Sequence, residues 1–201
     1  MVGLTLAMLT TIAALYAYKS SVVNAVSTKA NSMSQNISAA LAVQLTRLLP
    51  QAGWGVGAGA SPPGGAVNVD LVLLSGALLD GKRLAGSAIS ISSTASVGNA
   101  VVWRDALSGV SRCSALIVPA GGGLLMLGPV ECVNAAAWSS LQWAAQTPLL
   151  PAEALPDASF SVLKTNCWPY SAIPGSQGVA QVTLTGSRSV ASSACLTNIL
   201  Q

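Results

Sequence analysis

The stretch from residue 1 to residue 49, MVGLTLAMLTTIAALYAYKSSVVNAVSTKANSMSQNISAALAVQLTRLL, decides the fold class that the sequence predicts. No charged side chain precedes Lys19, Gly3 is the only glycine of the stretch, and Pro50 is the first proline of the chain. Glycine and proline are the residues that most disfavour a helix interior, so their near absence predicts one long helix over residues 1–52. We expect residues 1–18 to lie in a membrane or in the core of a filament.

Residues 19–52 are predicted to form an amphipathic half of this helix. After Lys19, apolar or small residues recur in steps of three or four, which is the spacing of one face of a helix. We expect this face to pack on the globular part of the chain. The residues predicted to make that contact are Val22, Val26, Met33, Ile37, Leu41, Leu45 and Leu48.

Residues 53–201 are predicted to form a globular, β-rich head. The head opens with a glycine- and proline-rich stretch over residues 53–66, which predicts a flexible connector. This stretch completes neither a dinucleotide-binding glycine motif nor a P-loop, so we do not interpret it as a nucleotide site. Short runs of strand-forming residues follow between turns. They predict strands over residues 69–74, 88–92, 100–104, 115–119, 124–127, 160–165 and 179–185.

Local signals in the head predict a hairpin and a short helix. The three glycines at 121–123 predict a hairpin turn between two of these strands. Asn134 is a suitable N-cap for a short helix reaching residues 143–146, with Trp138, Leu141 and Ala145 turned inward. Prolines at 148, 151 and 156 predict a loop after it. The predicted fold class is α+β: a long N-terminal helix, hydrophobic and then amphipathic, packed on an antiparallel β-sheet head.

Composition limits the classes of function. Only 7% of residues are charged and 52% are hydrophobic, and nine basic and six acidic residues give a net charge of +3. So few charges indicate a secreted or surface-displayed protein that assembles with copies or partners, rather than a cytosolic enzyme. The basic residues are scattered along the chain, so we expect no nucleic-acid partner.

The four cysteines are Cys113, Cys132, Cys167 and Cys195. None forms a C-x-x-C pair and the chain has no histidine, so we expect no zinc site. An even number of cysteines behind an apolar N-terminal segment indicates an oxidising compartment and two disulfides. Three pairings are possible. The pairing of 113 with 132 and of 167 with 195 is favoured because each closes a local loop, but the sequence does not fix the connectivity.

The sequence offers few groups for catalysis. Without histidine, neither a Ser–His nor a Cys–His pair can form, and no G-x-S-x-G motif occurs. The six carboxylates stand apart from one another and show no metal-loop spacing. Asp105 directly follows Arg104, and we expect these two to form an ion pair at a turn rather than a catalytic site. We therefore expect no enzymatic activity, no cofactor and no metal.

Both ends of the predicted helix resemble type IV pilins and type II secretion pseudopilins, and most closely the PilW-type minor pilins. The chain opens Met1-Val2-Gly3-Leu4, which is similar to part of the N-terminal run of that family. Residues 47–54, RLLPQAGW, are similar to the Arg-Asp-Leu-Arg-Gln-Ala-Gly-Tyr-like stretch at its helix end. Leu48 replaces an acidic residue common there. The peptidase site and the glutamate after it are missing, so we expect the chain to start a few residues inside the mature family sequence; the alternative is a true variant that lacks the glutamate.

The resemblance, which extends from Met1 to about Trp54, implies a structural subunit of a type IV pilus-like filament. It favours a minor pilin that contributes to pilus assembly or initiation, with a major pilin or a type II secretion pseudopilin as alternatives. It implies a single pass through the bacterial inner membrane with the head outside the cytoplasm, and then the extracellular pilus. The implied partners are other pilin subunits and the pilus assembly machinery. The residues assigned to the assembly helix are Gly3, Leu4, Leu6, Ala7, Leu9, Ile12 and Leu15.

Two other functions stay open on the sequence. The chain is alternatively an adhesive binding module displayed on a pilus or membrane, with Trp168 and Tyr170 on a disulfide-closed loop as its ligand-binding residues. Packing of these two aromatic side chains beneath the loop is the simpler interpretation. In the third hypothesis, the helix only tethers the head to a membrane and does not assemble.

Overall fold

The structure, a computed structural model, describes residues 2–57, 64–107, 109–167, 178–186 and 191–200. It describes the side chains of these residues except at positions 2, 4–7, 9–11, 13, 30–31, 33–34, 38 and 178. The first element, α1, runs over Val2–Leu48. A 3-10 turn at Leu49–Gln51 ends it, because Pro50 has no N–H to continue the helical hydrogen bonds.

Ten strands follow α1 in the described part of the chain. They are β1 (Leu71–Asp80), β2 (Arg83–Ile89), β3 (Ser96–Gly98), β4 (Ala100–Asp105), β5 (Arg112–Ile117), β6 (Leu124–Glu131), β7 (Gln146–Leu150), β8 (Ala158–Cys167), β9 (Gly178–Gly186) and β10 (Ala191–Cys195). They form a six-stranded sheet in the order β2-β1-β4-β5-β6-β7 and a four-stranded sheet in the order β10-β9-β8-β3. All strand neighbours within the two sheets are antiparallel.

The central strands of the six-stranded sheet are buried on both faces. Successive side chains of a strand point to opposite faces, so Leu71 and Leu73 enter one apolar cluster while Val72 and Leu74 enter another. The four-stranded sheet and the end of α1 share the first cluster. Residues from the segment 135–143 cover the second. The six-stranded sheet is therefore the middle layer of the body.

The predicted fold class is wrong. The α+β, type IV pilin-like prediction placed a long N-terminal helix along an antiparallel head. The described body is instead mostly antiparallel sheet, with ten strands in two sheets, and Ile37 is the first α1 residue, among those with described side chains, that joins its core. The physical reason is that a second sheet takes up most of the face predicted for the helix. Phe160, Val182 and Leu184 of that sheet fill the same apolar cluster.

The hairpin prediction is confirmed. Strands β5 and β6 pair antiparallel around the glycines at 121–123. A short helix also follows Asn134, whose side-chain oxygen accepts a 3.0 Å hydrogen bond from the N–H of Ala137. This element is a 3-10 helix over Ala135–Ser140.

The predicted extension of that helix to residues 143–146 is wrong, and the loop predicted after it is confirmed only over residues 151–157, because residues 146–150 form β7. The N–H of Trp143 donates to the carbonyl oxygen of Lys82 over 2.7 Å, so this part of the chain is bound to the turn between β1 and β2. Leu141 is buried and Trp138 packs against the second cluster as predicted, but Ala145 is exposed. Pro148 lies within β7, which is tolerated because β7 is an edge strand.

Candidate assembly surface

The end of α1 is held to the body by an apolar stripe that we call the packed stripe: Ile37, Leu41, Leu45 and Leu48. The first three side chains are buried, and Leu48 is half-buried against the same core cluster. Their spacing of three or four residues places them on one face of the helix. Burying one such side chain contributes about 1.5–3 kcal/mol relative to leaving it exposed. The packed stripe therefore anchors the helix end.

The rest of the helix carries a second set of apolar and aromatic side chains that no part of the described body covers. They are exposed by 42–76%. We call them the exposed stripe: Ile12, Leu15, Tyr16, Val22, Val23 and Val26. Leu41 follows Val23 by eighteen residues, about five helical turns, so the exposed and packed stripes lie on the same side of α1.

The predicted contacts between helix and head are confirmed only at the packed stripe. Val22 and Val26 are exposed, so the prediction that they pack on the head is wrong. Among the described side chains, burial against the body begins at Ile37 and continues to Leu49, which is a little over three turns of helix. The side chain of Met33 lies outside the described residues.

The residues predicted for assembly lie at the start of the exposed part of α1. Gly3 is exposed, and apart from its chain neighbours and the backbone of its own helical turns no atom lies within 4 Å of the position that a Cβ would take there. Ile12 and Leu15 are exposed by 58% and 67%. The remaining assembly residues, whose side chains fall outside the described part, are Leu4, Leu6, Ala7 and Leu9.

The charges along this surface have one sign. Lys19 and Lys29 are both exposed on α1. The sequence has no aspartate or glutamate before Asp70, so the helix itself supplies no carboxylate to neutralise them. The surface is therefore apolar with isolated positive charges.

Backbone contacts fix the turn that follows α1. The N–H of Gly53 donates to the carbonyl oxygen of Arg104 over 2.8 Å, and the side-chain amide of Asn198 donates to the carbonyl oxygen of Pro50 over 2.7 Å. Gly53 has φ of 79°, and a Cβ there would lie 2.2 Å from the carbonyl oxygen of Asn198. Only glycine fits this position without backbone movement. These contacts tie the end of α1 and the start of the predicted connector to β4 and to the C-terminal segment.

A buried ion pair that the sequence pattern does not predict lies beneath this turn. Nε of Arg104 lies 2.8 Å from Oδ1 of Asp70, and their side chains are 20% and 6% exposed. The N–H does not meet hydrogen-bond geometry, so the contact is mainly electrostatic. The other carboxylate oxygen, Oδ2, accepts from the N–H of Ala66 over 2.9 Å, and Nη1 of Arg104 donates to the carbonyl oxygen of Val133. The pair thus joins three separate segments.

The predicted ion pair between Arg104 and Asp105 is wrong. The two residues are neighbours in β4, where successive side chains point to opposite faces. Arg104 turns to Asp70, while Asp105 accepts from the N–H of Leu107 at 3.4 Å. Burial raises the pKa of Asp105 above 3.8, and the Leu107 hydrogen bond and the charge of Arg112 oppose that rise.

The favoured disulfide pairing is confirmed. Cys113 and Cys132 are bonded with a Cα–Cα distance of 5.7 Å, and this bond clamps the open end of the β5–β6 hairpin. Cys167 and Cys195 are bonded with a Cα–Cα distance of 5.6 Å, and this bond joins the ends of β8 and β10. The proposed ligand residues Trp168 and Tyr170 lie outside the described residues.

Other possible sites offer less chemistry. A cleft of about 340 Å³ beside the helix end is lined by glycines together with Trp54, Val56, Asn198 and Leu200, and none of these can act as an acid or base near neutral pH. Within the described residues, no three His, Cys, Asp or Glu side chains are grouped so that they could hold a metal ion. A search of the same residues for a helix both long and apolar enough to cross a membrane found none.

Comparison with protein-family models, with curated proteins and with solved structures gave no match.

Proposed function

We propose that the chain is a structural subunit of a type IV pilus-like filament, and specifically a minor subunit that contributes to filament assembly. A major pilin or a type II secretion pseudopilin would share the same assembly surface and differ in abundance and location. In this proposal the protein has a structural role and no catalytic one. Its partners are other filament subunits, and its helix lies in the inner membrane before assembly.

The observation that carries the proposal is the exposed stripe. Six large apolar or aromatic side chains stand exposed on one face of α1, while the same face is buried farther along by the protein's own core. Contiguous exposed apolar surface on a soluble body marks an interaction site. A helix that is anchored at one end and uncovered along the rest is suited to packing beside helices of neighbouring subunits.

Two further observations support this proposal. The residues at both ends of the helix resemble those of minor pilins, as described above. The two disulfides are of the kind that form and persist outside the cytoplasm. Both agree with a head that is displayed on the outer side of the inner membrane and then on a filament.

The test is recovery of the chain in filaments sheared from the producing cell. We expect the wild-type chain to be recovered in small amounts beside a more abundant subunit. The variant V22N/V26N should be lost from the filaments, because burying two side-chain amides without hydrogen-bond partners in a helix interface is costly. The matched control is S21N/T28N, which places the same amides on the opposite side of the helix and should be retained.

Two results would overturn the proposal. One is a wild-type chain that is absent from sheared filaments although it is expressed and folded. The other is equal recovery of both double variants, which would mean that the exposed stripe is not buried in the assembly. Recovery in amounts close to those of the main subunit would keep the filament role but replace the minor subunit by a major one.

A further inference from the structure

The body carries a second set of exposed apolar side chains, at the end of the six-stranded sheet where α1 also ends. They are exposed by 44–78%. We call them the end patch: Trp54, Val69, Leu107, Val110 and Val133. Exposed apolar side chains that lie together mark an interaction site, and a tryptophan among them is a frequent source of binding energy.

Backbone contacts bring the members of the end patch together from separate segments. The N–H at position 106 donates to the carbonyl oxygen of Trp54 over 2.7 Å, so Trp54 lies beside the turn that carries Leu107 and Val110. Val110 lines one shallow groove with Val133. The N–H at position 136, shortly after Val133, donates to the carbonyl oxygen of Val69 over 3.1 Å. The end patch is therefore one surface and not a set of scattered residues.

The end patch and the exposed stripe lie at opposite ends of the body. Ile37, the first buried residue of the packed stripe, shares a groove with Leu150, and Leu150 pairs with Leu124 at the start of β6. The other end of β6 is Glu131, which lines the groove of the end patch. Along β6 the two places are roughly 20 Å apart. Because α1 is continuous, the exposed stripe cannot reach the end patch of its own chain.

The charges within the two surfaces are complementary. The residues three, four and seven positions from Lys19 in each direction are the six members of the exposed stripe, so an exposed ammonium lies among apolar side chains. The exposed carboxylate of Glu131 lies in the groove of the end patch. Arg112 is opposite Glu131 on β5, but the two form no salt bridge among the described side chains. Each surface thus offers the counter-charge that the other needs when water is removed.

We propose that the exposed stripe of one copy of this chain packs on the end patch of a second copy, with Lys19 opposite Glu131. A helix in this position also lies beside the end of the second copy's α1, since Trp54 is in the turn that follows it. Because the contact joins two different surfaces, it leaves one of each uncovered and can repeat from copy to copy. The inference rests on the proposed function and deepens it: the minor subunit enters a filament as a short run of copies.

The test measures self-association of the full chain by sedimentation equilibrium in a density-matched neutral detergent. K19E and E131K each place like charges opposite one another, so each alone should raise the dissociation constant about tenfold. An equimolar mixture of the two variants should associate as tightly as the wild type, because every contact between unlike copies then joins opposite charges. Carbodiimide cross-linking of mixed isotope-labelled and unlabelled wild-type chains should join Lys19 of one copy to Glu131 of the other.

Matched controls separate this contact from general effects of charge and hydrophobicity. K29E and E153K reverse an exposed lysine of α1 and an exposed glutamate near the other end of the body, and neither should weaken association. L107A should raise the dissociation constant about tenfold, whereas L78A, at a leucine of β1 outside the end patch, should leave it unchanged. The two leucines are matched, with exposures of 52% and 56%. Circular dichroism would verify that each variant is folded.

Three results would overturn the inference. A wild-type chain that stays monomeric and gives no cross-link between copies would leave the end patch to a different protein. Self-association that E131K and L107A do not weaken would place the contact between the exposed stripes of two copies. Failure of the mixture of K19E and E131K to restore association would mean that the two charges do not meet.

The result is separable from the filament proposal. Recovery of the wild-type chain in sheared filaments, without self-association, would reject the contact between copies alone. Self-association that follows the charge reversals, with the chain absent from filaments, would reject the filament role alone.

Discussion

The two parts of α1 carry the same kind of side chains on the same face but have opposite surroundings. In the packed stripe, Ile37, Leu41 and Leu45 are at most 6% exposed, whereas the exposed stripe from Ile12 to Val26 is at least 42% exposed. Hydrophobicity does not separate them, since both consist of large apolar residues. The two stripes differ instead in whether the folded body extends far enough along the helix to cover them. A periodic apolar stripe therefore shows that a helix face will be covered, but it does not show by which molecule.

The largest effect on stability is expected from cutting a side chain of the packed stripe. L45A should reduce the free energy of unfolding by about 2–5 kcal/mol, because Leu45 is fully buried and its loss leaves a cavity. The same substitution in the exposed stripe, L15A, should change it by less than about 0.5 kcal/mol. Urea unfolding of the isolated chain measures both. Similar costs for the two variants would contradict the contrast between the stripes.

Removal of the first disulfide tests whether the two faces of the six-stranded sheet contribute independently. Cys113 and Cys132 lie on the face away from α1, and the bond closes a loop with a sequence separation of 19. Replacing both cysteines by alanine should cost about 3 kcal/mol. The cost should add to that of L45A to within about 0.5 kcal/mol, because the sites lie in different apolar clusters. A large deviation from additivity would show that the packed stripe depends on the far face.

The ion pair between Arg104 and Asp70, beneath the helix end, should contribute somewhat less to the free energy of unfolding than the first disulfide does. Removing one partner of a buried pair costs about 3–5 kcal/mol, and the 20% exposure of Arg104 reduces this to about 2–3 kcal/mol for D70A. The control D80A removes an exposed carboxylate at the end of the same strand and should cost less than about 0.5 kcal/mol. Denaturant unfolding would compare the two. Equal values would mean that Asp70 does not stabilise the turn after α1.

The smallest expected effect is the change in folding stability with pH that Asp105 causes. Its pKa is raised in the folded state, mainly because burial disfavours the charged form. Its contribution to stability is therefore fully present below 3.8 and is lost as the pH rises through the raised pKa. D105N avoids this loss, so it should melt slightly above the wild-type protein at neutral pH and together with it at acidic pH. A variant that melts below the wild type at neutral pH would show that the Leu107 and Arg112 interactions outweigh burial.

The central strands could be predicted from the sequence, and the edge strands could not. Predicted strands over 100–104 and 160–165 lie inside β4 and β8, because strands buried by a core are rich in apolar and β-branched residues. The four edge strands are β2, β3, β7 and β10. The prediction overlaps only the last two residues of β2 and none of the other three. Edge strands made of small, polar or proline residues form because they pair with a neighbouring strand, and the local sequence pattern does not encode that pairing.

The helix site was predictable in part for a related reason. Helical spacing identifies the face that must be covered, and this was correct at Ile37, Leu41 and Leu45. It does not tell how far a body of two sheets reaches along the helix, so Val22 and Val26 were placed wrongly. The pairing of Arg104 with Asp70 also depends on which strands become neighbours. Only the opposite orientation of adjacent residues in a strand could have excluded Asp105 as its partner.

Hydrogen exchange along α1, measured on the isolated chain and on filaments, tests the central claim most directly. Amides over residues 37–48 should be protected in both samples, because they open only when the core does. Amides over residues 12–26 should exchange much faster in the isolated chain and become protected in filaments. Equal protection of the two stretches in the isolated chain, or no gain of protection over residues 12–26 in filaments, would contradict the account.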